Sequence, residues 1–306
     1  MLEWIELSTR ATVVASEIGA SLHRPQAFGA DPFRTPMRGA GHPITTRHLL
    51  EGCIALAGRI HRVERAPRDR LRGRREPRAA DQSSACAEWA YRLAGYFHTT
   101  DATCRLLPRI AQRFKGAGRR VLLDWTEQKL NEEAGHDELA LRDLSELGYD
   151  ARRVVSALCP PRAAAWVKLF EQLADTENPA GCLGYAHALE RLALRRGAQE
   201  IAAIEARLPK GLNATRCLRV HSALGSDEAH VHVNIAAAAA SSADERRAIA
   251  TACHQTALIY FDPKLASPVH ARARAIDEQL NDLRTRSARR PSSYPNQSET
   301  IGAFNG

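Results

Sequence analysis

The stretch Asn131–Asp150, NEEAGHDELALRDLSELGYD, decides how this chain folds. Its apolar residues recur at helical spacing, and residues 119–147 read as one long helix that stops at Gly148, a residue suited to the position just past a helix end. Glu133 and His136 stand three residues apart on it, so both side chains leave one face. At about 100° per residue, Leu122, Trp125, Leu139, Ala140 and Leu147 lie within about 60° of His136. A carboxylate and an imidazole therefore interrupt an inward-looking apolar stripe. An unpaired carboxylate there costs on the order of several kcal/mol, so Glu133 needs a compensating partner. A metal ion is one such partner; a core ion pair or hydrogen-bond network is the other.

Outward from this stretch the chain reads as helix after helix. Upstream, ACAEWAYRLAGYFH and ATCRLLPRIAQRF predict two helices, the second broken or kinked at Pro108. Downstream, residues 150–158 and 162–174 predict helices on either side of Pro160-Pro161, the second amphipathic around Trp166 and Phe170. Asn178-Pro179 suits a helix start, and the helix it opens runs to Arg196 before Gly197. Residues 198–207 and 212–224 predict two more. Ser226 can cap a helix through the alanine run 236–240, and Ser242 with Glu245 forms a capping box for a helix to Phe261. Residues 270–284 predict the last. No strand-period segment competes, so the expected fold class is all-α.

The flanks differ from this body. Of the net charge of +8, residues 57–80 carry nine Arg against Glu64, Asp69 and Glu76, and the tail from Arg286 carries three Arg against Glu299. Residues 81–285 are close to neutral, which weakens any case for nucleic-acid binding made from overall basicity. The expected division is a poorly ordered Arg-rich extension over 1–80, with one short helix near 48–63, a helical domain over 81–285 and a disordered tail over 286–306. No run approaches the ~18 apolar residues a membrane span needs. MLEWIELSTR has acids where a signal peptide has bases, and the seven cysteines follow no paired spacing. A reducing, cytoplasmic setting is the expectation.

Other helices repeat the pattern of polar residues in apolar stripes. Glu190 lies within about 60° of Leu183, Ala186, Ala193 and Leu194, with His187 one turn back as a possible hydrogen-bond partner. In LRVHSALGSDEAHVHV, Asp227 and His230 form a second i, i+3 pair, with His221 just upstream. Mixed carboxylate and imidazole donors favour iron or manganese over calcium or magnesium, and Glu and His projecting from helices into a bundle core is a way to hold two metals.

The ordered set EEAGHDELALRDLSELG, YAHALERLALRRG and HSALGSDEAH resembles the haem-oxygenase-like diiron oxidases and oxygenases over roughly residues 85–265. The resemblance implies a haem-oxygenase-like helical bundle and two non-haem Fe2+ ions held by Glu133, His136, Glu190, His221, Asp227 and His230. It also implies O2 as co-substrate in N-oxygenation, oxidative C–C cleavage or desaturation of a small organic molecule, within a biosynthetic pathway. The family spacing places the first of the last three ligands at position 223, which is Ala here. His221 is two residues early, and a break near Gly225-Ser226 is needed to bring it round. Glu132 is the alternative to Glu133, His187 another alternative donor, and Asp143 a capping group or a hydrogen-bond acceptor for an imidazole. Leu139, Ala140, Tyr185, Ala186, Leu189 and Ala193 are the expected lining of a substrate pocket. An electron donor and a homodimer are compatible with this reading; a membrane or nucleic-acid partner is not expected.

Other readings remain. A true haem oxygenase would use His98 and leave the carboxylates unexplained, and thiaminase-like relatives need a nucleophilic Cys but not three ordered His. The alternative of a different class is a non-catalytic helical domain, its Glu and His groups forming a buried polar network and its Arg-rich arm binding an acidic partner. Nucleic-acid binding through 57–80 would be strongly salt-dependent.

Overall fold

The computed structural model describes residues 41–65, 82–194, 197–221, 226–265, 278–280 and 282–284. Among these the chain forms eleven α-helices, and the one β-bridge joins Tyr149 to Arg284. They are α1 (Gly41–Arg65), α2 (Gln82–Gly116), α3 (Arg120–Glu133), α4 (His136–Glu146), α5 (Ala151–Ala157), α6 (Pro161–Asp175), α7 (Gly181–Leu194), α8 (Gly197–Glu205), α9 (Arg216–Val220), α10 (Ser226–Ala240) and α11 (Ala243–Phe261). The all-α expectation holds. None of these helices is long and apolar enough to cross a membrane.

Two apolar clusters divide the interior. The first gathers Leu50 and Ile54 of α1, Ile110 and Phe114 of α2, Leu122 and Trp125 of α3, Leu183 and Tyr185 of α7, Val231 and Ile235 of α10, and Ile249 and Cys253 of α11. The second gathers Trp89 and Leu93 of α2, Ala140 and Leu144 of α4, Val154 of α5, Cys217 and Leu218 of α9, and Leu280 and Leu283. The 35-residue α2 serves both, its first half in one cluster and its second half in the other. At about 1.5 Å per residue it is long enough to do so.

Two expectations change here. The helices expected at 85–98 and 102–114 are one element. Thr99, Thr100 and Thr103 turn their hydroxyls back onto carbonyls three and four residues earlier in the same helix, so they are satisfied without ending it. Pro108 is accommodated inside α2, which packs along α3, α4 and α6. The expected domain boundary at residue 80 also moves. α1 packs on α11 and α10, Leu50 and Ile54 are buried, and Glu51 is ion-paired with Arg191 of α7. The short helix expected near 48–63 is thus a longer element of the body. Residues 1–40 and 66–81, the helix expected over most of 270–284 and the tail from 286 lie outside the described residues.

Local chemistry explains the remaining boundaries. Ser242 and Glu245 make the reciprocal capping box at the start of α11, and Asp150 caps α5 by accepting the Arg153 N–H at 3.2 Å. α7 begins at Gly181, two residues after Pro179, and crosses α11 closely. A Cβ on Gly184 would stand 1.9 Å from the Ile249 carbonyl oxygen, so only glycine permits this approach.

Candidate metal centre

The helix expected over 119–147 is interrupted in the structure. α3 ends at Glu133, Ala134 leaves the helical region, and Gly135 takes φ +79° before α4 starts at His136. A left-handed turn of this kind costs an L side chain about 1–2 kcal/mol, and glycine little. Glu133 and His136 are therefore the last residue of one helix and the first of the next. They face each other across the turn, His136 Nδ1 lying 3.2 Å from Glu133 Oε2. The Cys104 thiol of α2 donates to the Glu133 carbonyl at 3.4 Å and holds this end of α3. The break falls where the chain passes from the first apolar cluster to the second.

His221 arrives from the far side. It is the C-cap of the five-residue α9, which ends at Val220; α10 is described from Ser226, and the break expected at Gly225-Ser226 lies outside the described residues. Asp143, fully buried on α4, positions α9: its carboxylate accepts the Cys217 N–H at 2.9 Å and the Arg216 guanidinium at 3.1 Å. This capping role is one of the two expected of Asp143. The His136 and His221 rings meet edge to face, centroids 4.8 Å apart at 89°. One donor atom from each of Glu133, His136 and His221 lies within 4.8 Å of the others, and among the described residues this is the one such group of three or more.

The other expected ligands gather around a lysine. Lys129 Nζ lies 2.6 Å from Glu132 Oε2 and 2.6 Å from Glu190 Oε1, and the side chain is almost fully buried. His230 Nε2 is 3.2 Å from Glu132 Oε1, which also accepts from Gln128 at 2.7 Å. Asn234 donates to Glu190 Oε2 at 2.6 Å and accepts the Trp125 indole N–H at 2.8 Å. Glu132 and Glu133 thus both point inward, to different neighbours. Lys129 was missed by the sequence reading, yet it sits on the Leu122–Trp125 stripe of α3 and breaks it as Glu133 does.

Further expectations are corrected. His187 does not support Glu190, whose partners are Lys129 and Asn234; it is fully buried with neither ring nitrogen hydrogen-bonded. Leu139 and Ala140 belong to the second cluster, whereas Tyr185, Ala186 and Leu189 belong to the first, and Ala193 is half-buried. Five of the six are thus divided between the two clusters. His98 Nε2 engages the Leu158 carbonyl at 3.0 Å, and His232 lies 3.2 Å from Arg47. Asp227 is in the first turn of α10, and its side chain is outside the described residues. An open cleft of about 570 Å³ lies elsewhere, between α4, α5 and Arg216.

The electrostatics suit a cation beside Glu133. Burial acts to raise its carboxyl, but the His136 hydrogen bond with His221 and Lys129 nearby outweighs that and leaves it below the ordinary range. Burial, only partly offset by Glu133, lowers His221, so the imidazole is held neutral, the form that binds metal. Burial raises Glu190 against the opposing Lys129. Burial also acts to lower Lys129, but Glu190 and Glu132 prevail and keep it protonated.

The donor chemistry fits one transition-metal ion. Two imidazoles and one carboxylate with open positions is the set used by non-haem Fe(II) oxygenases. His221 Nε2 is buried without a hydrogen-bond partner, as a nitrogen awaiting a ligand would be. Adjacent donors on one ion at bond lengths of about 2.1 Å lie about 3 Å apart, so the three side chains would have to draw together by up to about 2 Å to hold it. The residues around Lys129 fit a second ion less well, since an ammonium already stands between the carboxylates. Compared with protein-family models, with curated proteins and with solved structures, the chain finds no match in any of the three.

Proposed function

We propose that the protein is a non-haem, iron-dependent, O2-using oxidase or oxygenase acting on a small organic molecule. The observation that carries this reading is the convergence of Glu133, His136 and His221 from three helices at the seam between two apolar clusters. Iron bound there would supply the binding and reduction of O2. The chain's own residues contribute a fixed frame. Glu133 stays ionised, His221 stays neutral, and Asp143 holds α9 so that His221 faces the pair. Tyr185, stacked on Phe170 with centroids 4.6 Å apart, keeps a buried hydroxyl with no hydrogen-bond partner in the first cluster, and burial pushes its pKa far up. N-oxygenation, C–C cleavage and desaturation are the reactions this proposal covers, with the haem-oxygenase-like bundle as its proposed fold.

The test is O2 uptake. Protein loaded anaerobically with Fe(II) and freed of excess metal is mixed with O2, and uptake is followed with an electrode. Wild type is expected to consume O2 well above free Fe(II), and His221→Ala to lose at least tenfold. A wild type that retains no iron would end the reading.

A second reading has an observation of its own. The carboxylates already have partners within the chain: Glu133 with His136, and Glu132 and Glu190 with Lys129. A buried polar network serving the fold alone would need no metal, and metal would then leave the thermal midpoint unchanged.

A further inference from the structure

Lys129 stands where a second metal ion would have to sit. Its ammonium is 2.6 Å from a carboxylate oxygen on α3 and 2.6 Å from another on α7, distances of close ion pairs. His230, from α10, completes the surroundings through Glu132. The two carboxylates lie on either side of the Lys129 ammonium, and His230 reaches Glu132 rather than this centre, so the chain's own cation stands where carboxylates from two helices converge.

We infer that the protein binds one metal ion per chain, at Glu133, His136 and His221, because the Lys129 ammonium occupies the second position as a built-in counter-ion. The inference rests on the proposed metal reading and narrows it. A divalent ion at Glu132 and Glu190 would meet the Lys129 amine at contact distance, and that amine is buried on α3, which packs against α10. Lys129 is 3% exposed, and its neighbours Trp125 and Asn234 are tied to each other and to Glu190. The two carboxylates that it contacts, at 2.6 Å each, favour its charged form. The arrangement also explains why adjacent glutamates are both inward: Glu133 serves the metal, and Glu132 serves the lysine.

The experiment counts metals. Metal-free full-length protein is equilibrated anaerobically with Mn(II), freed of excess ion, and assayed for manganese per chain, with an electron paramagnetic resonance spectrum of the same sample. Wild type should hold one ion with an uncoupled six-line spectrum. Lys129→Met removes the ammonium while keeping an unbranched apolar side chain out to the ε position. That variant should hold two ions with an exchange-coupled spectrum, and Mn(II) should raise its thermal midpoint more than that of wild type. Two ions in wild type would overturn the inference and leave the metal reading standing. No ion in wild type, with His221→Ala behaving identically, would overturn both. A folded Lys129→Met that holds only one ion would also overturn it, because Lys129 would then not be what excludes the second. Should Lys129→Met fail to fold, the wild-type count and spectrum decide the matter alone.

Discussion

The imidazoles of His136 and His221 meet edge to face with centroids 4.8 Å apart, one at the first residue of α4 and the other at the last turn of α9. Neither reaches that place by helix periodicity. His136 is put there by the left-handed turn at Gly135, and His221 by the anchoring of α9 on Asp143. Gly135→Ala has open space for its methyl group but not the backbone freedom, as φ is +79°. It should lose about 1–2 kcal/mol of stability and weaken metal binding at the same time. Gly211→Ala is the control: φ is +89°, also with open space, and it should lose similar stability but keep its metal. Chemical denaturation and metal affinity, measured on both variants, check this pair.

Asp143→Ala should act at a distance. It removes the acceptor of the buried Cys217 N–H and one of the two α4 carboxylates that hold Arg216, leaving Glu146 at 3.4 Å as the remaining tie to α9. The cost should be about 2–3 kcal/mol, on the scale of a buried polar group losing its partner, with Arg216 partly solvated. His221 should lose its place, so metal affinity should fall while the Glu133–His136 pair stays intact. Asp143→Asn retains an acceptor for the Cys217 N–H and should recover part of both losses.

His187 should make the fold acid-sensitive. Burial, with Arg191 and Arg47 opposed by Glu51, lowers its pKa from 6.5 to about 4. Between these values the unfolded chain binds a proton that the folded chain refuses. Stability should therefore be full near neutrality and fall as pH drops from about 6.5 towards 4, by on the order of 3 kcal/mol for this group. His187→Leu removes the titrating group and two ring nitrogens that have no hydrogen-bond partner. It should flatten the profile over that window and be no less stable than wild type at pH 7. An equal loss of unfolding free energy between pH 7 and 4.5 in wild type and His187→Leu, measured by urea titration, would speak against the assignment.

Gly184→Ala tests the close crossing of α7 and α11. Its Cβ would fall 1.9 Å from the Ile249 carbonyl oxygen, which a small rotation cannot relieve, so α7 and α11 must separate. A loss of about 2–3 kcal/mol is expected, with a thermal midpoint lowered by several degrees.

Particular residues show how far the sequence could be read. The capping box at Ser242 and Glu245 was legible because both halves of that motif lie within four residues. Glu133, His136, Glu190 and His230 were legible as polar residues on apolar stripes, and all four prove to be engaged in the buried or half-buried network. Their grouping was not. Periodicity assumes a straight helix, and one left-handed glycine between Glu133 and His136 breaks that assumption without altering the apolar spacing. Lys129 escaped because a lysine is ordinarily taken as solvated, although its position on the Leu122–Trp125 face carried the same warning as Glu133. α1 was placed outside the body because its neighbours 66–80 are so rich in arginine. Yet Leu50, Ile54 and Ala57, spaced at helical intervals, are its core face.

The central claim is that Glu133, His136 and His221 hold one metal ion. Anaerobic titration with Co(II), followed by its visible absorption bands, tests it most directly, because the bands report nitrogen and oxygen donors at the ion itself. Wild type should develop the bands with an end point at one equivalent, and His136→Ala and His221→Ala should each weaken binding at least tenfold. Wild-type protein that develops no bands, or variants that bind Co(II) as tightly as wild type, would contradict the account.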